Sequence, residues 1–186
     1  MPMRRIPVAL CITMLWCQLV AATVVIPPTF EQLVSRSRTI FVVETVGQVS
    51  EWLGARIVTH VTFRVLDAWK GERVAQLVLT FLGGTVGNRT LRIDGVPAFT
   101  PGDRDVLFVD AAGGASPLVG FMHGRFPVIR DSVTGTERVL TFDGRPLLTT
   151  AALGRAPLPS LDQRLFRALS IDELRNLVDD QLRVIP

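Results

Sequence analysis

The chain has no tyrosine, one lysine (Lys70) and two histidines, His60 and His123. Its two cysteines, Cys11 and Cys17, both lie close to the start. A zinc centre takes three or four ligands from Cys, His, Asp and Glu, and two distant histidines form no such cluster. Beyond Cys17 no thiol nucleophile or redox pair is possible. No G-x-S-x-G elbow occurs. Gly83-Gly84-Thr85-Val86-Gly87 lacks the Gly-Lys-Ser/Thr ending of a phosphate loop, so its glycines are expected to let the backbone turn sharply. Asp103, Asp105 and Asp110 do not have the spacing of a calcium loop. His60 is expected at an exposed strand position. His123 is expected to be partly buried with a hydrogen bond. No catalytic residue, metal or cofactor is expected.

Charge of one sign is scarce as well. The formal charge of +3 falls to +1 once Arg4 and Arg5 are set aside. Arg56, Arg64, Arg89 and Arg92 are the candidates for a basic patch, but the near-neutral balance argues against a nucleic-acid partner. Asp179-Asp180 is expected on the solvated side of a helix. Asn88-Arg89-Thr90 fits a glycosylation sequon, a triplet that arises often by chance.

What is present is apolar. Of the 186 residues, 48% are hydrophobic and 20% charged, which suits one globular domain with a substantial core. Residues 1–22 read as a signal peptide: Arg4-Arg5, an apolar run from Ile6 to Val20, then small residues before Thr23. The run is shorter than the roughly 20 residues of a spanning helix. Cleavage after Ala22 is expected, with a secreted or periplasmic destination and no membrane span in the mature chain. That chain would hold no disulfide.

The most informative stretch is Ile57 to Gly71. Ile57, Thr59, Val61, Phe63 and Val65 alternate with Arg56, Val58, His60, Thr62 and Arg64, the period of a half-buried strand. Thr39 to Val49 reads as the preceding strand, with Ser50 to Ala55 as the turn between them. Val74 to Leu82 reads as a third strand, followed by a flexible crossing at 83–87. Leu91 to Ile93 and Val106 to Val109 read as short strands. Phe126 to Arg130 and Glu137 to Phe142 read as a second hairpin. Before the strands, residues 23–38 form an extended leader and a short helix, Phe30 to Ser35, capped by Thr29. After the sheet region, 39–146, comes a Pro/Gly-rich connection from 147. It leads to a last helix, marked by Ser170 and Glu173 as a capping box and by Leu169 and Leu174 as its staple.

Several words along this order carry a resemblance. They are Ile40-Phe-Val-Val43, Val61-Thr-Phe-Arg-Val65, Lys70-Gly71, Gly83-Gly84, Gly87, Gly95-Val-Pro-Ala-Phe99 and Gly102-Asp-Arg104 with Val106-Leu-Phe108. Over about residues 39–130 the chain resembles the TIMP-like (netrin-like) OB-fold of tissue inhibitors of metalloproteinases and of exported bacterial proteins of that type. The resemblance implies a mainly β fold: a small OB-like barrel flanked by a short N-terminal and a C-terminal helix. It departs at two places. The animal inhibitors begin with a zinc-chelating cysteine, where this chain would begin with Thr23. Asp105 stands where an apolar or aromatic residue would suit the strand.

The reading that follows is an exported, non-enzymatic module that binds a protein partner in the envelope or outside the cell, an inhibitor or accessory of a secreted metalloprotease being one form of it. Thr23, Val24, Gly83, Gly84 and Trp52 are its partner-binding candidates. One alternative is a structural or carbohydrate-binding envelope protein that uses Trp52 and Phe121 for stacking. Another is a hydrolase, which would need two convergent titratable groups.

Overall fold

The computed structural model describes residues 26–110, 114–154 and 167–185. The expected signal segment, Thr23, Val24 and part of the connection after 147 lie outside them. The protein is mainly β. Strands β1 (Thr39–Leu53), β2 (Arg56–Lys70) and β3 (Gln76–Leu82) are followed by the short pair β4 (Gly84–Val86) and β5 (Arg89–Leu91). Then come β6 (Arg104–Val109), β7 (Arg125–Arg130) and β8 (Glu137–Val139). Helices α1 (Phe30–Arg36) and α2 (Ile171–Val184) bracket the strands. Six strands form one antiparallel sheet in the order β3-β2-β1-β6-β7-β8, and β4-β5 is a separate hairpin.

β1 and β2 explain the shape. Their pairing slips at Ile40/Phe41, Val42/Val43 and Thr45/Gly47, which leaves Trp69, Leu66 and Val46 without an opposite partner. Each bulge adds twist and re-aims the side chains that follow. Thus Val61, Phe63 and Val65 join one apolar cluster with Phe41, Val43, Leu79, Phe81 and Leu107. Trp69 and Leu66 instead reach the cluster on the other face. There α1 contributes Leu33 and Val34, and α2 contributes Leu174 and Val178, over Ile40, Val42, Val106 and Phe108. The continuous apolar run of β6 follows from its place at the sheet centre. Val106 and Phe108 face the helices, while Leu107 and Val109 face away.

Both helices start as their sequences indicate. Thr29 and Ser170 each accept a hydrogen bond from the third helical N–H, and the side chains of Gln32 and Glu173 each accept one from the cap residue's own N–H. Lys70, the single lysine, donates to the Val34 carbonyl near the end of α1 (2.8 Å), and burial pulls its pKa down.

Some boundaries differ from expectation. Ser50 to Leu53 is strand rather than turn: Ser50, Glu51, Trp52 and Leu53 pair with Thr59, Val58, Ile57 and Arg56. The turn is only Gly54-Ala55, with Gly54 at φ 61°, the first-position pattern of a type II′ turn. Polar composition suggested a loop because this half of the hairpin has little core to face. The 83–87 crossing is also strand, since Gly84–Val86 pairs with Arg89–Leu91. Val58 is buried although it lies on the face of His60; its cross-strand neighbours are Glu51 and Leu82.

Candidate functional site

At the end of β3 the chain must turn back across the β1–β2 hairpin. Gly83 and Gly84 make that turn at φ 106° and 130°. A Cβ on Gly84 would lie 2.2 Å from Thr59 Oγ1 and 2.4 Å from Ser50 Oγ, so only glycine fits. Gly83 N–H donates to Ile57 O (2.8 Å). Thr59 Oγ1 donates to Gly83 O (2.7 Å) and lies 2.8 Å from Ser50 Oγ. A carbonyl can only accept, so the Thr59 proton goes to Gly83 and Ser50 donates to Thr59.

This turn forms one end of a cleft of about 750 Å³ between the hairpin, β4-β5 and the 92–99 segment. Val61, Phe81 and Phe99 give it apolar walls, and Gln48, Arg92 and Asp94 contribute polar groups. Phe99 is fixed from several sides. Its ring centroid lies 5.1 Å from both Phe63 and Phe81, and the Arg125 guanidinium stacks 4.5 Å from its own. Arg125 in turn grips the fully buried Asp105 through two bonds (Nε–Oδ1 2.7 Å, Nη2–Oδ2 3.2 Å) and donates to Ala98 O. Burial pushes the Asp105 carboxyl above its ordinary range, and the guanidinium pulls it back only in part. The residue that looked out of place in its strand therefore anchors one wall of the cleft.

Trp52 stands on the same face of β1 as Ser50, two residues further out, and is 49% exposed. Trp52, Gly83 and Gly84 thus share one side of the hairpin. The leader does not join them in the described residues. Pro28 is buried against Gly120, whose Cβ would fall 2.8 Å from Pro28 Cδ. Gly120 follows Val119, which bonds to Phe108 at the Thr39 end of β1. Nearly the whole strand separates that anchor from Trp52.

The other candidates are dispersed. His60 is half-exposed between Thr80 Oγ1 (2.9 Å from Nδ1) and Glu51 Oε1 (3.0 Å from Nε2). His123 is half-buried, edge-on to Phe142 at 4.6 Å. Burial lowers its pKa, and Asp143 opposes this in part. Arg64 is paired with Glu44 (2.7 Å), and Arg56 lies at the far end of β2, about 26 Å away at the usual strand rise. Asp179 and Asp180 face Arg175 and Arg183 on the surface of α2. Asn88 is exposed in the β4–β5 turn. Phe121 is partly buried and holds φ 61°, the one positive φ outside glycine among the described residues. Among those residues no three His, Cys, Asp or Glu side chains cluster as metal ligands, and no helix is long and apolar enough to cross a membrane.

Ser50, Thr59 and the Asp105–Arg125 pair were not singled out from sequence as site-forming residues. The signal for the first two was the Gly83-Gly84 pair straight after a strand, which marks a close backbone approach. No signal pairs Asp105 with Arg125, twenty residues apart in different strands. No model of a known protein family matches the chain, and neither does any curated protein or solved structure.

Proposed function

We propose that this chain is an exported, non-enzymatic protein-binding module of OB-like, TIMP-like architecture. Its partner is a protein of the envelope or the extracellular space, of the kind a secreted metalloprotease represents. The observation that carries this reading is the outer half of the β1–β2 hairpin. Beyond the bulge at Val46, β1 exposes Trp52 (49%) on the face where the cleft opens, and Val49 (68%) and Leu53 (63%) on the opposite face of the tip. An apolar tip beside a cleft with polar groups is the anatomy of a contact surface.

Two features favour the barrel. The three bulges curl β1 and β2, and Leu82 N–H at the end of β3 donates to Ala115 O in the segment after β6 (2.8 Å). That bond draws the Leu82 end of β3 toward the segment after β6 and leaves the edge from Gln76 to Thr80 open. The burial of Pro28 against Gly120 favours a role for the leader, because it fixes the base of the segment that carries Thr23 and Val24 without a disulfide. In this reading the Thr23 amine and carbonyl form a five-membered chelate on the protease zinc, and the hairpin tip makes a separate contact.

The experiment begins with mass spectrometry of the protein from the producing cells, which should find Thr23 as the first residue. The processed protein is then titrated against secreted zinc metalloproteases, beside Trp52→Ala and a form with one extra N-terminal alanine. The reading expects inhibition that weakens at least tenfold in both variants. Equal inhibition by the extended form excludes chelation. Absence of inhibition by the unaltered protein excludes the protease as partner.

A further inference from the structure

The two edges of the sheet are finished differently. At β8 the outward backbone groups of Val139 are occupied. Val139 N–H donates to Leu169 O (2.9 Å), and Val139 O accepts from Leu147 N–H (3.0 Å). At β3 the phase of the ladder follows from two bonds. Val65 N–H donates to Ala75 O (3.0 Å) and Gly83 N–H donates to Ile57 O (2.8 Å), so odd-numbered residues of β3 turn their backbone groups toward β2. Even-numbered residues turn theirs away. Leu82 confirms this, since its N–H points off the sheet to Ala115. Gln76, Val78 and Thr80 therefore present N–H and C=O groups that meet no partner among the described residues. Their side chains are all exposed.

Edge strands are commonly protected by charge, proline or a bulge. Gln76–Leu82 contains no charged residue and no proline, and its register with β2 runs without a slip. The free positions also form a symmetric set. A second β3 laid antiparallel about Val78 sets Val78 against its own copy and Gln76 against Thr80 in both directions. Each of these pairs is then of the type that exchanges both hydrogen bonds. No like charges oppose one another, and Val78, 54% exposed, is covered by its twin. The contact ends where it must: past Thr80 the edge is taken by Ala115, and β3 does not extend before Gln76.

We infer that two copies of this chain associate through β3, antiparallel about a two-fold axis at Val78, joining their sheets into one. The patch is small beside the roughly 1,200–2,000 Å² of a stable interface, so the dimer is in exchange with monomer and depends on concentration.

Sedimentation velocity over a wide range of concentration should show monomer shifting to dimer. Val78→Lys, which sets a charge against its own copy, should leave monomer throughout. Val78→Pro should do the same while keeping the β2–β3 ladder, because it deletes only an outward N–H. Val133→Lys, at a 91% exposed turn position, should associate like the unaltered protein. The register has its own test. Opposed residues of this pair type lie about 5.5 Å apart between Cα atoms, within disulfide reach. Val78→Cys in a background of Cys11→Ser and Cys17→Ser should give a covalent dimer on mild oxidation, and Val133→Cys should not. A protein that stays monomeric at every concentration overturns the inference. So does a dimer that Val78→Lys leaves intact, or one that Val78→Cys fails to trap.

Discussion

The first half of β1 and the second half belong to different environments. From Ile40 to Thr45 nearly every residue is buried, because β6 pairs alongside and the helices cover the far face. From Val46 to Leu53 nearly every residue is exposed or half-exposed. The β6 pairing stops at Glu44, and the bulge at Val46 follows. One strand therefore serves two purposes. Its inner half, with β6 to β8 and both helices, holds the fold. Its outer half, with β3 and the β4-β5 hairpin, is held chiefly by its neighbours in the ladder and leaves apolar side chains and a sheet edge open. The difference teaches that stability and contact can be separated along a single strand, so substitutions should sort the same way.

The largest effect should come from the core. Phe63→Ala is expected to cost about 3–5 kcal/mol, the range for truncating a buried Phe. Trp52→Ala, on the outer half, should stay within about 0.5 kcal/mol. Denaturant melts of the two variants decide it, and a Trp52→Ala deficit as large as that of Phe63→Ala would break the comparison.

Arg125→Met should come next, at about 3–5 kcal/mol, because it strands a buried carboxylate. Its pH dependence has a definite sign. The pKa of Asp105 is raised in the folded state, so the neutral acid is favoured there. That contribution is fully present below the unfolded pKa of about 3.9 and is lost as pH rises through the folded value. The deficit of Arg125→Met should therefore shrink as pH falls toward 4. Asp105→Asn added to Arg125→Met should recover part of the loss at neutral pH.

Gly84→Ala sharpens the comparison inside the open half. The left-handed backbone and the crowding by Thr59 and Ser50 should cost about 1–3 kcal/mol. Gly87→Ala, with nothing within 4 Å of its Cβ, should cost less. Thermal melts of the two report the difference.

A modest effect is expected at α2, in the closed half. Ser170→Ala should cost about 1 kcal/mol at neutral pH. Hydrogen bonds from the Ser170 N–H and hydroxyl hold the Glu173 carboxyl below its usual range. That stabilisation is present above the unfolded carboxylate pKa and is lost as pH falls through the lowered one. Melts at neutral and acid pH should show the gap between Ser170→Ala and the unaltered protein narrowing in acid, with the part due to the Glu173 N–H to Ser170 Oγ bond remaining.

What the sequence made legible follows from the range of each interaction. Period-two alternation placed Phe63 inside and Arg64 outside, because side-chain direction in a strand is local. The caps at Thr29 and Ser170 are local and were readable for their helix starts, though the box that Gln32 completes at Thr29 emerged only from the structure. The end of β1 was hidden, since Ser50 to Leu53 pairs without burying much and its composition resembles a turn. The bulges that send Trp69 and Leu66 to the other face are set by long-range register and leave no mark in the alternation. Gly83 and Gly84 were visible as a turn, but Ser50 and Thr59, whose hydroxyls they pack against, come from two other strands. Likewise, Asp105 reads as an anomaly until Arg125 is seen beside it.

The central claim is that the sheet is closed at β8 and open at β3, and amide hydrogen exchange followed by NMR tests it most directly. In dilute solution Val139 N–H, bonded to Leu169, should exchange slowly, near the limit set by global unfolding. Val78 N–H should exchange orders of magnitude faster and gain protection as concentration rises. A Val78 amide as protected as that of Val139 in dilute solution would mean that the edge is closed within one chain, and the division of the molecule into a stable half and a contact half would fail.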